Sequence, residues 1–167
     1  MKRQPGRWLF GLCFAAFFAG FGASDANGRT TLPIVDACFV TDDGIHNVAL
    51  EVASKDKQRQ RGLMGRGEMG DHAGMLFTYR RERSASHGFW MFQTLIPLDI
   101  AYIDSNGRIV SIRSMAPCPS AQGRDCPNYP SGQPFSNAVE MNAGYFEDRD
   151  INVGDRLHWP ADDTCHR

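Results

Sequence analysis

Short runs of alternating apolar and polar residues, separated by turn residues, fill most of this chain. Residues 34–40 are largely apolar, Thr41-Asp-Asp-Gly44 is a turn signal, and Val48, Leu50 and Val52 then alternate with polar neighbours. That pattern predicts a β-hairpin. Ser54 is placed to cap a short helix over 55–63, with Asp56 near its positive end. The segment has almost no apolar face before Leu63 and Met64, so the helix is expected on the surface, with Lys55, Lys57, Arg59 and Arg61 as a solvated face. A glycine-rich loop follows over 65–74, then a strand over 75–79 and a charged loop over 80–86. Residues 89–92 and 100–103 read as two strands joined by a polar corner that contains Pro97. Asp104-Ser-Asn-Gly107 turns into a strand over 108–113, in which Val110 and Ile112 share a face. Further strands are expected over 137–142 and 156–159, with a short turn or helix starting at Gly144. The sum is a mainly β fold: a compact single-domain barrel or sandwich of short strands with one or two short helices. The domain is expected over 34–160, with a C-terminal tail over 161–167.

The N-terminus changes the picture of where the domain works. Lys2, Arg3 and Arg7 form a basic leader, residues 8–22 are uncharged and apolar, and Ser24-Asp25-Ala26 supplies the small residues that a signal peptidase reads. The apolar run is shorter than the ~20 residues a bilayer needs, so a cleaved signal peptide over 1–26 and a tether over 27–33 are expected, with no stable membrane span after cleavage. Removing the leader takes away three cations and Asp25, which moves the net charge from −1 to −3. A mildly acidic domain without a basic stripe argues against nucleic acid as a partner. The expected location is periplasmic or secreted.

Of five cysteines, Cys38, Cys118, Cys126 and Cys165 lie beyond the leader. An even count in an exported chain reads as disulfides, with three connectivities possible. Proximity within one proline-rich loop favours Cys118 with Cys126, which leaves Cys38 to tie the first strand to the tail through Cys165. The Cys118–Cys126 spacing does not fit a zinc knuckle, and no paired histidines support one.

Several separated motifs carry a family resemblance. They include Arg61-Gly-Leu-Met64, Gly74-Met-Leu-Phe77, His87-Gly-Phe-Trp-Met91, Thr94-Leu-Ile-Pro-Leu-Asp99, Cys126-Pro-Asn-Tyr129, Glu140-Met-Asn-Ala-Gly144 and Val153-Gly-Asp-Arg-Leu157. Over about residues 48–157 the chain resembles the bacterial and archaeal family called domain of unknown function 192. The resemblance implies a small, mainly β domain, often exported, with no established reaction. One departure concerns the residues before Thr94: the family commonly carries Lys-Asn there, and this chain has Phe92-Gln93. The substitution points to a different or more apolar ligand.

Candidate chemistry concentrates between residues 87 and 104. Alternation pairs Phe89 with Met91 and Trp90 with Phe92, and Trp90 is expected on the functional face as a stacking platform. His87 and Asp99 are candidate hydrogen-bonding or acid–base groups, although a carboxylate beside a turn proline more simply bonds the backbone. Gln93 and Thr94 belong to the same corner. Glu140 and Asn142 share the face opposite Val139 and Met141, a pattern found in polyol recognition and on ordinary wet faces. Arg61 is placed to bind a carboxylate or phosphate, or to complement the helix dipole.

Complete catalytic sets are absent from the pattern. Ser84, Ser86, His87 and Asp99 lack a nucleophile elbow, and the separation of Asp99 from Glu140 is not readable from sequence. No phosphate loop or dinucleotide fingerprint is present, so no cofactor is expected. Scattered methionines with His87 leave a copper-handling alternative, against the plainer role of core filler. The leading expectation is a non-catalytic domain binding a small polar or carbohydrate-like molecule or an envelope protein. A hydrolase acting on cell-envelope material is the alternative. Convergence of His87, Asp99 and Glu140 in one cleft would favour the enzyme.

Overall fold

A computed structural model describes residues 31–166 of the 167-residue chain. The expected signal peptide and most of the tether lie outside the described residues. The strands are β1 Ile34–Val40, β2 Ile45–Ala53, β3 Ala73–Arg83, β4 Gly88–Trp90, β5 Leu98–Ile103, β6 Ile109–Met115, β7 Asn128–Pro130, β8 Phe135–Asn142 and β9 Arg156–His158, with one α-helix, α1, over Asp56–Arg61. Three short 3-10 turns complete the described elements.

Seven strands form a curled half-barrel sheet in the order β6-β5-β8-β3-β2-β1-β9, and β4 and β7 form a separate ribbon. The curl brings the two ends of the order together. Arg108 bridges Arg156, and the Ile109 and Leu157 amides donate to the Asp155 and Gly107 carbonyls at 2.8 Å. The mainly β expectation therefore holds, with a half-barrel as the form it takes.

Both faces of the sheet are covered. One face carries Phe39, Leu50, Leu76, Ile103, Val139 and Met141, closed by Tyr145, Phe146 and Ile151. The opposite face carries Met75, Phe77, Ile100, Tyr102 and Ala138, closed by Leu63, Phe89 and Met91. All six residues of β5 are buried, as a strand covered on both sides requires.

One connection supplies the cover of the second face. β2 and β3 are parallel, so the chain must cross a face of the sheet between them. Residues 54–72 make that crossing and carry α1, which is shorter than the helix expected over 55–63. Its cap also differs from expectation: the Gln58 side-chain oxygen accepts from the Ser54 and Lys55 amides at 3.1 and 2.9 Å. One Gln58 oxygen thus satisfies two free amides at the helix start, leaving no capping role to the Ser54 hydroxyl.

Two further local expectations are corrected. Residues 80–83, read as loop, continue β3 as an exposed overhang, because the Arg83 register with Phe135 resumes after a bulge. The strand expected over 89–92 ends at Trp90, and the two runs around Pro97 take other partners. β4 pairs β7, hidden in the two-cysteine loop, and β5 pairs β6 and β8.

Both disulfides form. Cys38 and Cys165 bond β1 to the C-terminal segment, which packs back with Cys165 buried. Cys118 and Cys126 close the loop that leads into the ribbon.

Candidate functional site

Sheet register puts Glu140 between Met75 and Ile100, its partners on β3 and β5, on the face that α1 and the β4–β7 ribbon cover. Its side chain is only 4% exposed. Among the described residues no group donates a hydrogen bond to its carboxyl. Burial alone pushes its pKa up to about 8, so it is a neutral acid at neutral pH. It lines a cavity of about 20 Å³, room for about one water, together with Arg61, Leu63, Trp90, Phe92 and Thr94. The reading of Glu140 as part of a wet face fails for a topological reason: strand alternation turns it away from Val139, but the second face is roofed as well.

Phe92 occupies the position where the family resemblance implies lysine, and it lines the cavity that holds Glu140. Trp90 is 42% exposed, and its ring lies 5.4 Å from that of Phe92. Two glycines fix its setting. A Cβ on Gly123 would stand 2.6 Å from the Trp90 ring, so the disulfide loop can pass beneath it only as backbone. A Cβ on Gly88 would stand 2.6 Å from the Asn128 side chain, so ribbon pairing at that point also needs glycine. Phe89 and Met91 point into the core, as alternation predicts.

A larger cleft of about 330 Å³ adjoins this cavity and is lined by Arg59, Gln60, Tyr79, Arg83, His87 and Trp90. The Arg59 and Arg83 guanidinium groups stand 4.8 and 5.4 Å from the Tyr79 ring centre, within cation–π range. Burial pushes the Tyr79 hydroxyl up to about 12, so it remains a donor. An Arg83 Nη lies 3.1 Å from His87 Nδ1. Burial and the Arg83 charge both lower the His87 pKa, which favours a neutral ring. Nδ1 then accepts from Arg83, and Nε2 carries the proton. Arg59 is anchored by donating to the Ser54 and Thr78 carbonyls and by an ion pair with exposed Asp56. A further cleft, of about 470 Å³, continues past Lys55, Arg80 and Arg81.

The structure therefore brings Arg61, Trp90, Thr94 and Glu140 to one cavity and places His87 in the adjoining cleft. Three other candidates lie apart. Asp99 is on the opposite face, buried, accepting the Gly144 amide at 2.7 Å. Asn142 donates to the Met69 and Gly70 carbonyls at 3.1 and 3.2 Å, which fastens the glycine-rich loop. Gln93 has a left-handed φ of 54° in an exposed turn, where its amide donates to the Cys118 carbonyl and its carbonyl accepts from Gly65. Neither His87 nor Glu140 meets Asp99, so the three do not form one catalytic group.

Sequence reasoning passed over Arg59, Tyr79 and Arg83. Arg59 reads as part of a solvated helix face and Arg83 as part of a charged loop. The available signal was Tyr79 leading directly into four charged residues, Arg80-Arg-Glu-Arg83. Among the described residues no group of His, Cys, Asp and Glu is arranged to hold a metal. The buried methionines divide between faces, Met141 on one and Met75, Met91 and Met115 on the other. No helix among the described residues is long and apolar enough to cross a membrane. Two disulfides suit a non-cytoplasmic environment.

Solved structures of similar proteins carry the same fold. A protein from Sinorhizobium meliloti 1021, described as a candidate transcription regulator, is 31% identical with a TM-score of 0.68, over 78% of this chain and 97% of its own. A protein of unknown function from Novosphingobium aromaticivorans DSM 12444 is 30% identical with a TM-score of 0.69, over 89% of this chain and 100% of its own. No curated protein matches. The family model for DUF192, described as an uncharacterized ACR, matches residues 38–159. By that match the chain belongs to the domain of unknown function 192 family.

Proposed function

We propose that this protein is an exported binding domain, periplasmic or secreted, that holds a small polar, carbohydrate-like ligand between Trp90, His87 and Tyr79 above Glu140. The observation that carries the reading is Glu140 itself: a buried acid with no internal partner, on the wall of a cavity whose rim is a half-exposed tryptophan. A desolvated carboxyl without a donor costs stability, and a ligand hydroxyl in the cavity would offset that cost. In its neutral form it both donates and accepts, which matches a ligand hydroxyl. The exposed Trp90 face suits the apolar side of a sugar ring. The apolar run 8–22 and the two disulfides support export.

A thermal-shift screen of monosaccharides, oligosaccharides and polyols tests this. A binder at a hundredfold above its Kd should raise Tm by about 5 °C or more, and Trp90→Ala should abolish the shift. A screen without any such shift contradicts the reading.

One observation favours hydrolysis as the second reading. A carboxyl held protonated at neutral pH is what a general acid requires. Glu140→Gln separates the two. A binding site keeps its ligand with the isosteric amide, whereas a hydrolase loses turnover while retaining its substrate.

A further inference from the structure

We infer that the ligand carries an anionic group, a carboxylate or phosphate on a sugar or polyol, which seats against Arg83 in the cleft between α1 and the β3 overhang. This rests on the binding reading above and names its ligand class. Lys55, Arg59, Arg80, Arg81 and Arg83 line the outer cleft, and Asp56 is its one carboxylate. Glu82, which sits between Arg81 and Arg83 in sequence, lines neither cleft. Of these cations Arg59 alone has an ion pair among the described residues, and its partner Asp56 is almost fully exposed. The chain as a whole carries a net charge of −1, so the cleft is opposite in sign to the molecule.

Exposed arginines alone would be a solvated surface. Arg83 is different: its Nε is buried and has no acceptor, while an Nη donates to His87. The bond to His87 and the Tyr79 ring hold this half-buried guanidinium in place, with its remaining Nη donor open to the cleft. An anionic group in the cleft meets that Nη and offsets the mutual repulsion of the cations. Tyr79 and the His87 Nε2–H add neutral donors on the same wall. Trp90, on the Glu140 side, remains free for the ring of the ligand. A net-acidic chain repels an extended polyanion, so a small acid fits better than a nucleic acid.

Calorimetric titration of the protein with glucuronic acid, glucose, glucose 6-phosphate and a short oligothymidylate tests the inference. Glucuronic acid or glucose 6-phosphate should bind at least about tenfold tighter than glucose at low salt, and that advantage should fall as salt rises. The tighter of the two identifies the anion as carboxylate or phosphate. Arg83→Gln should lose about tenfold or more for the acid, a clearly larger loss than for glucose. Arg80→Gln with Arg81→Gln, both exposed and safe for folding, should lose roughly two- to fivefold. Equal binding of glucose and both acids, unaffected by the Arg80/Arg81 variant, overturns the anion assignment and leaves the sugar reading intact. No binding of any sugar overturns both. Tighter binding of the oligothymidylate overturns the assignment in favour of nucleic acid.

Discussion

Asp99 and Glu140 are two carboxylates, each 4% exposed, on adjacent strands of one sheet and facing opposite ways. Asp99 accepts the Gly144 amide through one oxygen and so pins the turn after β8 to β5, while its other oxygen is buried without a partner. Glu140 has no such partner and borders a cavity instead. Burial is the same in the two cases, so burial does not separate a carboxylate that ties a turn from one that borders a cavity. What separates them is how each face is closed. Beyond Asp99 the chain continues directly from β8 into Tyr145, Phe146 and Ile151, which pack tightly on the sheet. Over Glu140 the cover comes from α1 and a two-stranded ribbon, remote in sequence, and their seams remain open as clefts.

The sharpest break between the two faces is expected from Glu140→Gln. The acid has a native pKa of about 8 against an ordinary 4.5. The native state therefore binds the proton more tightly than the unfolded chain. Stability is full below pH ~4.5 and falls as pH rises towards 8, by about 1.4 kcal/mol per pH unit. The amide carries no such cost, so the variant should be more stable by about 3 kcal/mol at pH 7 and nearly unchanged at pH 4. Urea denaturation across that range measures it. The slope left in the variant includes His87, whose lowered pKa acts in the opposite sense, with stability lost as pH falls through its titration range.

Asp99→Ala should do the reverse: about 2 kcal/mol of destabilisation by loss of the charge-assisted bond to Gly144, with ligand affinity unchanged. Urea denaturation combined with titration of the bound ligand checks both halves. An affinity loss there would mean that the two faces are coupled. Trp90→Ala should cost about 2 kcal/mol or less, because only the covered part of the ring loses its packing. Its binding loss, read in the same titration, should be the largest of the three.

Much of the fold was legible because β2 buries Val48 and Leu50 in the alternation that sequence displays, and β5 is the continuous apolar run of a strand covered on both faces. In β6 a bulge sends Val110 and Ile112, expected on one face, to opposite cores. β7 was not legible. Asn128, Tyr129 and Pro130 carry no period, and they become a strand because Gly88, Phe89 and Trp90 lie opposite them. The overhang 80–83 reads as loop because its residues are charged on both faces.

The site divides in the same way. Alternation correctly set Trp90 apart from Phe89 and Met91, and it set Glu140 opposite Val139. That Glu140 would be roofed depended on the parallel β2–β3 pair carrying α1 across that face, a contact between distant parts of the chain. The meeting of Arg59 with Arg83 across Tyr79 has the same origin. Each residue alone has the bland appearance of a solvated charge.

The most direct measurement is the titration of the Glu140 carboxyl in the folded protein by carbon-detected NMR, assigned through the Glu140→Gln variant. A midpoint near pH 8 is expected for a desolvated acid without a partner. A midpoint near 4.5 would mean that water or a hidden donor already solvates the group, and Glu140 would then be an ordinary carboxylate rather than the base of a ligand site.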